Sequence, residues 1–402
     1  MMIRRDGVDS AYAWQRLAIS VTLSTMGGLG MWALSVALPV VQTDLGISRA
    51  DISFGYSANM VGFFLGGVVI GRLVDRHGVV FATIVSTFGL AAGFALASVT
   101  GSLLLFAAAQ LLIGFSAAAT FAPLVADISH WFEKRRGVAV AIAASGNYIA
   151  GAIWPPIVEA MISGHGWRTT YLSAAALCLV TMIPLALTLK RRAPDHETHA
   201  VAVARRSLAA LGLSPNGLQA LLVVAGISCC VAMSMPQVHI VAYCADKGFG
   251  VARGAEMLSL MLGFGIVSRI GSGWLADKVG GAMTLMIGST LQGVALLFYL
   301  VADSVTSLYL ASALFGLFQG GIVPSYAIIV REYFPAREAA SRVGLTVSST
   351  VLGMALGGWM GGELFDRTGS YQAAFINGIA WNVLNAVIAW WLLSRQMRRA
   401  AA

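Results

Sequence analysis

Long apolar runs separated by short polar breaks repeat along the whole chain. Most of these runs hold about 20 residues, the length that an α-helix needs to cross the hydrocarbon core of a bilayer. In the first part of the chain the pattern predicts helices over 14–40, 52–73, 79–99, 103–128, 137–160 and 167–189. In the second part it predicts helices over 216–243, 254–276, 281–301, 305–330, 340–364 and 371–393. The sequence therefore predicts an all-α membrane protein with twelve transmembrane helices.

A single long polar segment interrupts this pattern close to the middle of the chain. It reads KRRAPDHETHAVAVARRS and runs from Lys190 to Ser207. Six predicted helices precede it and six follow it, as expected for a linker between two similar halves. We therefore predict an N-terminal six-helix bundle over 1–189, a cytoplasmic linker over 190–215 and a C-terminal six-helix bundle over 216–402.

The amino-acid composition supports a membrane location. Hydrophobic residues make up 58% of the 402 residues and charged residues only 11%, whereas a soluble domain has about 25% charged residues. The four cysteines lie in or beside apolar runs, without the spacing of metal ligands or of a secreted disulfide framework. We expect them to pack as small apolar side chains, and the sequence indicates no metal and no cofactor.

The basic residues fall mainly in the breaks between apolar runs, and they predict the orientation of the chain. Of the 26 lysines and arginines, five lie in odd-numbered breaks, namely Arg49, Arg168, Lys247, Arg253 and Arg367. The others, except Arg269, lie at the termini, in even-numbered breaks or at the adjoining ends of predicted helices, on the side that the positive-inside rule assigns to the cytoplasm. We predict a multi-pass protein of the cell (inner) membrane with both termini in the cytoplasm. Topology also explains the net charge of +8, so we expect no nucleic-acid partner.

The two halves of the chain repeat each other at a constant offset. GRLVDRHG begins at Gly71, and GWLADKVG begins at Gly273, 202 positions later. Further pairs keep this offset, or exceed it by two positions in the last case: Gly114 and Gly316, Trp131-Phe132 and Tyr333-Phe334, and Trp167 and Tyr371. Several matches in one register indicate a duplication, and parallel repeats of this kind build one class of secondary transporter.

These features resemble the major facilitator superfamily over essentially the whole chain. The superfamily signature G-x-L-x-D-R-x-G matches Gly71, Leu73, Asp75, Arg76 and Gly78. Four stretches resemble the branch of monocarboxylate transporters and oxalate/formate exchangers: DLGISRADIS at 44–53, HWFEKRRGVAVAIAASG at 130–146, QVHIVAYCADKGF at 237–249 and GGELFDRTGSYQAAF at 361–375. The resemblance implies two pseudo-symmetric six-helix bundles and transport by alternating access. We expect a monomer.

One arginine lies inside an apolar run, where a charge is costly. The resemblance implies that the arginine of the eighth helix, in a pattern like R-x-x-x-G-x-x-A-D, binds the substrate carboxylate. Here that arginine is Arg269, followed by Gly273, Ala276 and Asp277. The physical argument agrees, because a guanidinium stays charged and its planar fork fits a carboxylate. The alternative is an arginine that pairs with a structural acid or reaches back toward the cytoplasm, about 12 Å away along the helix.

Two departures from the branch pattern narrow the substrate class. Animal monocarboxylate carriers place an aspartate one turn before this arginine, where the present chain has Gly265. Oxalate exchangers add a lysine in the eleventh helix, but VGLTVSSTVLGMALGGWMGG at 343–362 carries no charge. A single fixed cation suits one carboxylate better than two, so we predict a monocarboxylate anion as substrate. The first departure leaves proton symport and anion exchange as open alternatives.

Five further polar residues inside predicted helices are candidate substrate-binding residues. An ordinary histidine titrates near neutral pH, so His239 is also a candidate carrier of a coupling proton. The other four are Asn147, Tyr148, Gln319 and Asn59. For all five the alternative is an interhelical hydrogen bond without contact to substrate.

Four charged residues are candidates for a gate at the cytoplasmic side. A carboxylate such as Asp75 at the end of the second helix can cap a helix N-terminus of the other half, where the helix dipole is positive. We predict that Asp127 completes this latch by pairing with Arg76, and Asp277 is the counterpart of Asp75 in the repeat. The alternative is a plain solvated turn.

The sequence therefore predicts a secondary transporter of a small organic monocarboxylate, embedded in the lipid bilayer. One alternative is an efflux carrier of drug-like or other amphipathic metabolites, which would share the fold and the signature. Another is an intramembrane enzyme or sensor on a similar scaffold. The chain has no H-E-x-x-H, G-x-S-x-G or Walker motif, so we predict that it is not an enzyme.

Overall fold

The computed structural model of the chain describes residues 8–191 and 212–400, and these residues form helices joined by short turns. In the N-terminal half the helices are α1 (Ala11–Gly27), α2 (Leu29–Leu45), α3 (Arg49–Val99), α4 (Leu103–Ala117), α5 (Ala122–Trp131), α6 (Arg136–His165) and α7 (Trp167–Thr188). In the C-terminal half they are α8 (Pro215–Asp246), α9 (Val251–Val279), α10 (Gly281–Val301), α11 (Val305–Gln319), α12 (Ile322–Tyr333), α13 (Ala336–Thr368) and α14 (Tyr371–Ala400). Most of the predicted linker at 190–215 lies outside the described residues.

Eleven helical segments of the described chain are long and apolar enough to cross a membrane. Three of these segments each consist of two consecutive helices separated by a short break, as α4 and α5 are. The longest, α3, has 51 residues, or about 77 Å at the helical rise, while a bilayer core is about 30 Å thick. Gly78 interrupts this helix with φ 84° and ψ 164°, which only glycine adopts readily. The predicted helices 52–73 and 79–99 lie on either side of this glycine. The prediction of an all-α membrane protein is confirmed.

The chain divides into two compact units, which we call unit 1 and unit 2. Unit 1 comprises Met1–Ile47 and Phe54–Thr198, and unit 2 comprises Ser48–Ser53 and His199–Ala402. The division does not follow the chain at every point, because the first residues of α3 belong to unit 2. The rest of α3 belongs to unit 1.

The duplication predicted from the sequence is present in the backbone of both units. A Cβ atom added to Gly114 of α4 would overlap the carbonyl oxygen of Asn59 in α3. A Cβ atom added to Gly316 of α11 would overlap the carbonyl oxygen of Met261 in α9, which is 202 positions after Asn59. Helices approach this closely only through small residues. The signature turns correspond as well, because Gly280 has φ 84° and ψ 168°, nearly the values of Gly78.

Candidate functional site

Arg269 lies in the interior of α9, on the turn that packs against the break between α11 and α12. A Cβ atom at Gly320 would overlap the carbonyl oxygen of Gly265, and one at Gly321 would overlap the side chain of Ser272. These contacts fix the turn that carries Arg269, because two glycines of the broken helix press directly against it. The Arg269 side chain is half-buried. The arginine therefore has a rigid support within unit 2.

Gln319 is the residue just before this glycine pair, so the structure brings it to the element that supports Arg269. Its side chain is fully buried and accepts a hydrogen bond from Nε2 of Gln237, at 3.0 Å from Oε1. The amide pair connects α8 to α11. An interhelical hydrogen bond of this kind was the alternative to substrate contact, and the structure contains that bond.

His239 in α8 is also fully buried. Its Nε2 lies 2.9 Å from the carbonyl oxygen of Gly358, and since a carbonyl only accepts, Nε2 carries the proton and donates. The ring lies 5.5 Å from the ring of Tyr371, measured between centroids, and a Cβ atom at Gly361 would overlap it. His239 is thus held in one tautomer with its Nδ1 lone pair left as the site for a second proton.

The three candidates of unit 1 lie in tightly packed helix contacts. Asn59 in α3 donates from Nδ2 to the carbonyl oxygen of Gly30 at 2.9 Å and to Oε1 of Gln110 at 3.1 Å, so it joins three helices. Asn147 in α6 accepts a hydrogen bond at its backbone oxygen from Nε1 of Trp32, at 3.2 Å. Tyr148, the next residue, is almost completely buried. The geometry of Asn59 is that of an interhelical bond.

The gating residues of unit 1 surround a cavity of about 940 Å³ near the signature turn. Asp75, Arg76 and Asp127 all line it, but the predicted pairing of Asp127 with Arg76 is wrong. The Asp127 carboxylate instead accepts hydrogen bonds from Nε and Nη2 of Arg16, at 2.7 and 2.8 Å. A bidentate pair of this kind uses both carboxylate oxygens, which leaves Asp75 as the remaining acid beside Arg76. In unit 2, Asp277 is exposed three residues before Gly280.

Arg16 is a residue whose importance the sequence pattern did not reveal. Only 1% of its surface is exposed, although it is an arginine in a predicted apolar helix. Besides Asp127, it donates from Nη1 to the hydroxyl of Tyr12 at 3.2 Å and to the carbonyl oxygens of Leu189 and Arg191 at 3.1 and 3.0 Å. These bonds attach the chain just after α7 to α1, and the pair with Asp127 attaches α1 to α5. One feature of the sequence could have indicated this role: Arg16 lies between Trp14 and Leu17 in an apolar stretch.

Arg49 is the second residue that the sequence pattern did not single out. It was placed among the basic residues of an outer loop, yet only 4% of its surface is exposed. Nη1 donates to the hydroxyl of Tyr371, and Nη2 lies 3.1 Å from a carboxylate oxygen of Asp246. The guanidinium also stacks on the ring of Phe365, 4.8 Å from its centroid. All these residues belong to unit 2.

Known proteins similar to this chain agree in family and in fold. Residues 21–291 and 266–401 match the family described as Major Facilitator Superfamily. Monocarboxylate transporter 13 of Rattus norvegicus is 29% identical over 333 residues, which are 81% of this chain and 74% of that protein. The MFS-type transporter pynF of Aspergillus niger is 24% identical over 344 residues, which are 83% of this chain and 76% of that protein.

Among solved structures, a bacterial homolog to the human lysosomal transporter Spinster, in an inward-facing and occupied conformation, has the same fold. The comparison gives a TM-score of 0.75 at 14% sequence identity, and it covers 96% of this chain and 97% of the other. At this low identity the likeness concerns the fold alone.

Proposed function

The chain belongs to the Major Facilitator Superfamily of membrane transporters, and from this premise we propose that it carries a small organic monocarboxylate anion by alternating access. The membership confirms the resemblance found in the sequence, including its monocarboxylate transporter branch, and the prediction of a transporter, not an enzyme. In this proposal twelve spans form two six-helix bundles, with Gly78 as the turn between the second and third spans. Both termini face the cytoplasm of a cell membrane.

The observation that carries the proposal is Arg269 itself. A charged side chain in the middle of a membrane helix costs about 2.5–3.5 kcal/mol even on the most lenient scales. A protein retains such a residue where the charge serves a function, and a guanidinium pairs best with a carboxylate or phosphate. The glycine contacts at Gly320 and Gly321 support this role, because a rigid turn orients the fork of the arginine before the anion arrives.

The number of fixed charges supports a monocarboxylate. Within unit 2 the sequence places one cation, Arg269, well away from the ends of a predicted span, and the stretch 343–362 has none. A second carboxylate of a dianion would remain without a cationic partner in an apolar surrounding, which is costly. We propose Asn147, Tyr148 and Gln319 as the polar groups that bind the rest of the substrate. Asn59 is proposed with them as a residue that acts by holding α3 against α4.

The proton is the second proposed substrate, with His239 as its carrier. Support comes from the fixed Nε2 tautomer, which leaves only Nδ1 to take up a proton. Exchange of one anion for another is the competing mechanism. A pH gradient distinguishes the two, because it accelerates symport and leaves exchange unchanged.

Gating on the cytoplasmic side is assigned to Asp75, Arg76 and Asp277, with Asp127 acting through its pair with Arg16. Asp75 and Arg76 lie in the signature turn before Gly78 and line the cavity of unit 1. Their exposure leaves them available to a partner in another transport state.

Uptake into proteoliposomes tests the function. Purified protein is reconstituted and given radiolabelled lactate, benzoate, oxalate or a neutral drug-like compound, each with and without a pH gradient. We expect uptake of a monocarboxylate and loss of that uptake by about 100-fold or more in Arg269→Gln, since two charge-assisted hydrogen bonds are lost. The matched control is Arg253→Gln, which removes an exposed arginine from the same helix and should transport normally.

Two results would contradict the proposal. Transport of the monocarboxylate at the wild-type rate by Arg269→Gln would exclude this arginine as the substrate ligand. Transport of the neutral compound alone, unaffected by Arg269→Gln, would favour the efflux alternative.

A further inference from the structure

The outer ends of the two units contain the same clamp, but one member of it is missing in unit 2. In unit 1, Asp44 at the end of α2 accepts hydrogen bonds from Nε1 of Trp167, at 3.2 Å, and from the guanidinium of Arg168. Both donors lie at the start of α7. The clamp of unit 1 is therefore complete within that unit, and its acid and its arginine are each exposed to about the same degree, 40% and 43%.

The repeat identifies the corresponding positions of unit 2. Asp246 follows Asp44 by 202 positions, and Tyr371 takes the place of Trp167 after the shift of two. The position of Arg168 is then occupied by Gln372, which carries no charge. Asp246 consequently has no arginine at the start of α14 to pair with.

Arg49 supplies the missing guanidinium. It binds both remaining members of the clamp, the hydroxyl of Tyr371 and the carboxylate of Asp246. Arg49 is the first residue of α3, whose residues from Phe54 onward belong to unit 1. In unit 1 the clamp joins two helices of the same unit. In unit 2 the corresponding clamp binds the first residue of α3, a helix whose residues are divided between the two units.

A second acid holds the same helix end through its backbone. Asp366 of α13 accepts hydrogen bonds from the backbone N–H groups of Arg49, at 3.0 Å, and Ala50, at 2.6 Å. Ser48 and Asp51 satisfy the neighbouring donors by a reciprocal capping interaction. A carboxylate at a helix N-terminus is favoured by both hydrogen bonding and the helix dipole. Asp366 thus completes the cap of α3 from a different helix.

Glycine at position 362 allows α13 to come this close. A Cβ atom there would lie 2.6 Å from the carbonyl oxygen of Arg49 and 2.6 Å from Oγ of Ser53. Backbone atoms cannot yield to such an overlap. The contact between the start of α3 and α13 is therefore made possible by the absence of a side chain.

We propose that Arg49, Asp246, Asp366 and Tyr371 form a releasable outer latch, which holds the first turn of α3 on unit 2 in one transport state and frees it in another. The bonds to the two carboxylates are suited to release, because Asp246 is about one-third exposed and Asp366 is exposed, so water can replace them when the latch opens. The clamp of Asp44 and Arg168 lies entirely within unit 1, so we expect it to stay closed. The proposal rests on the alternating access proposed above, but not on Arg269 or on the identity of the substrate.

A buried reporter cysteine beneath the latch tests the proposal. Ser53 is fully buried, so Ser53→Cys in a background without the four native cysteines should react with a hydrophilic thiol reagent only when the latch opens. The labelling rate is measured on the full-length protein in detergent, where both faces are accessible, relative to Ser163→Cys at an exposed position. We expect Arg49→Gln to raise the Ser53→Cys rate by about tenfold or more, since charge-assisted bonds are lost.

Two further variants make the test independent of the fate of Arg49→Gln. Gln372→Arg, at an exposed position, gives Asp246 its own guanidinium and repels Arg49, so the labelling rate should rise by about threefold or more. The matched control is Arg168→Gln, which breaks the clamp of unit 1 and should leave the rate unchanged.

Equal labelling rates in the parent, Arg49→Gln and Gln372→Arg would overturn the latch. An equal rise in Arg168→Gln would do so too, because it would indicate general loosening. Failure of the monocarboxylate proposal is recognised separately, because it would appear as wild-type uptake by Arg269→Gln, a result that does not depend on these labelling rates.

Discussion

The buried pair of Arg16 and Asp127 allows a quantitative prediction. Asp127→Asn keeps the size of the side chain and removes its charge, so the guanidinium of Arg16 remains buried without a counter-ion. Arg16 is 1% exposed and Asp127 is 11% exposed, so little water from the cavity beside them reaches the place of the carboxylate. Breaking a buried ion pair by removing one partner costs about 3–5 kcal/mol.

The expected change in thermal stability follows from the size of the unit. A loss of 1 kcal/mol lowers the Tm of a unit of this length by about 2–4 °C, so Asp127→Asn should lower it by about 6–20 °C. The remaining bonds of Arg16 to Tyr12 and to the carbonyl oxygens of Leu189 and Arg191 place the expected value near the lower end. The assay is thermal denaturation of the detergent-purified protein at one fixed scan rate, because irreversible unfolding makes the midpoint depend on that rate.

The clamp of unit 1 provides the matched control. Asp44→Asn removes the same chemical group from an ion pair with Arg168 that is about 40% exposed on both sides, and exposed pairs contribute about 0–1 kcal/mol. The double variant Arg16→Met with Asp127→Leu should recover much of the loss, since no buried charge is then left. If Asp127→Asn and Asp44→Asn lower the Tm equally and by only a few degrees, Arg16 is hydrated and the argument from burial is refuted.

Three further outcomes are expected. Gly316→Ala should lower stability by about 1–3 kcal/mol through overlap with the backbone of α9, whereas Gly271→Ala, with open space around it, should be neutral in the same denaturation assay; equal effects would contradict the close helix contact. Asp75→Asn should slow uptake by proteoliposomes and leave substrate affinity in detergent unchanged, and wild-type uptake would reduce Asp75 to a surface residue. Single cysteines at Ser163 and Ser304 should react with an impermeant thiol reagent applied outside intact cells, and reaction only in inverted vesicles would reverse the proposed orientation.

Helix positions and the duplication were predictable from the sequence, because both depend on local properties of the chain. The length of an apolar run decides whether a helix spans the bilayer, so the predicted 167–189 and 216–243 correspond to α7 and α8 within three residues. Gly114 and Gly316 matched by offset alone, and both have the same helix contact in the structure. The signature glycine at 78 likewise marked the turn inside α3.

The partners of charged and polar side chains were decided only by the tertiary structure. We predicted that Asp127 pairs with Arg76, its neighbour at the cytoplasmic side. In the structure α1 is oriented about its axis so that Arg16 pairs with Asp127 instead. Arg49 was counted as a loop cation, and its capture by Asp246 and Tyr371 depends on where α3 begins relative to α8 and α14. One sign of this contact was present in the sequence: Gln372 occupies the position that corresponds to Arg168 in the first half. Hydrophobic length is a property of one segment, whereas a hydrogen bond between helices depends on the rotation, depth and spacing of both, which are determined only when the helices pack.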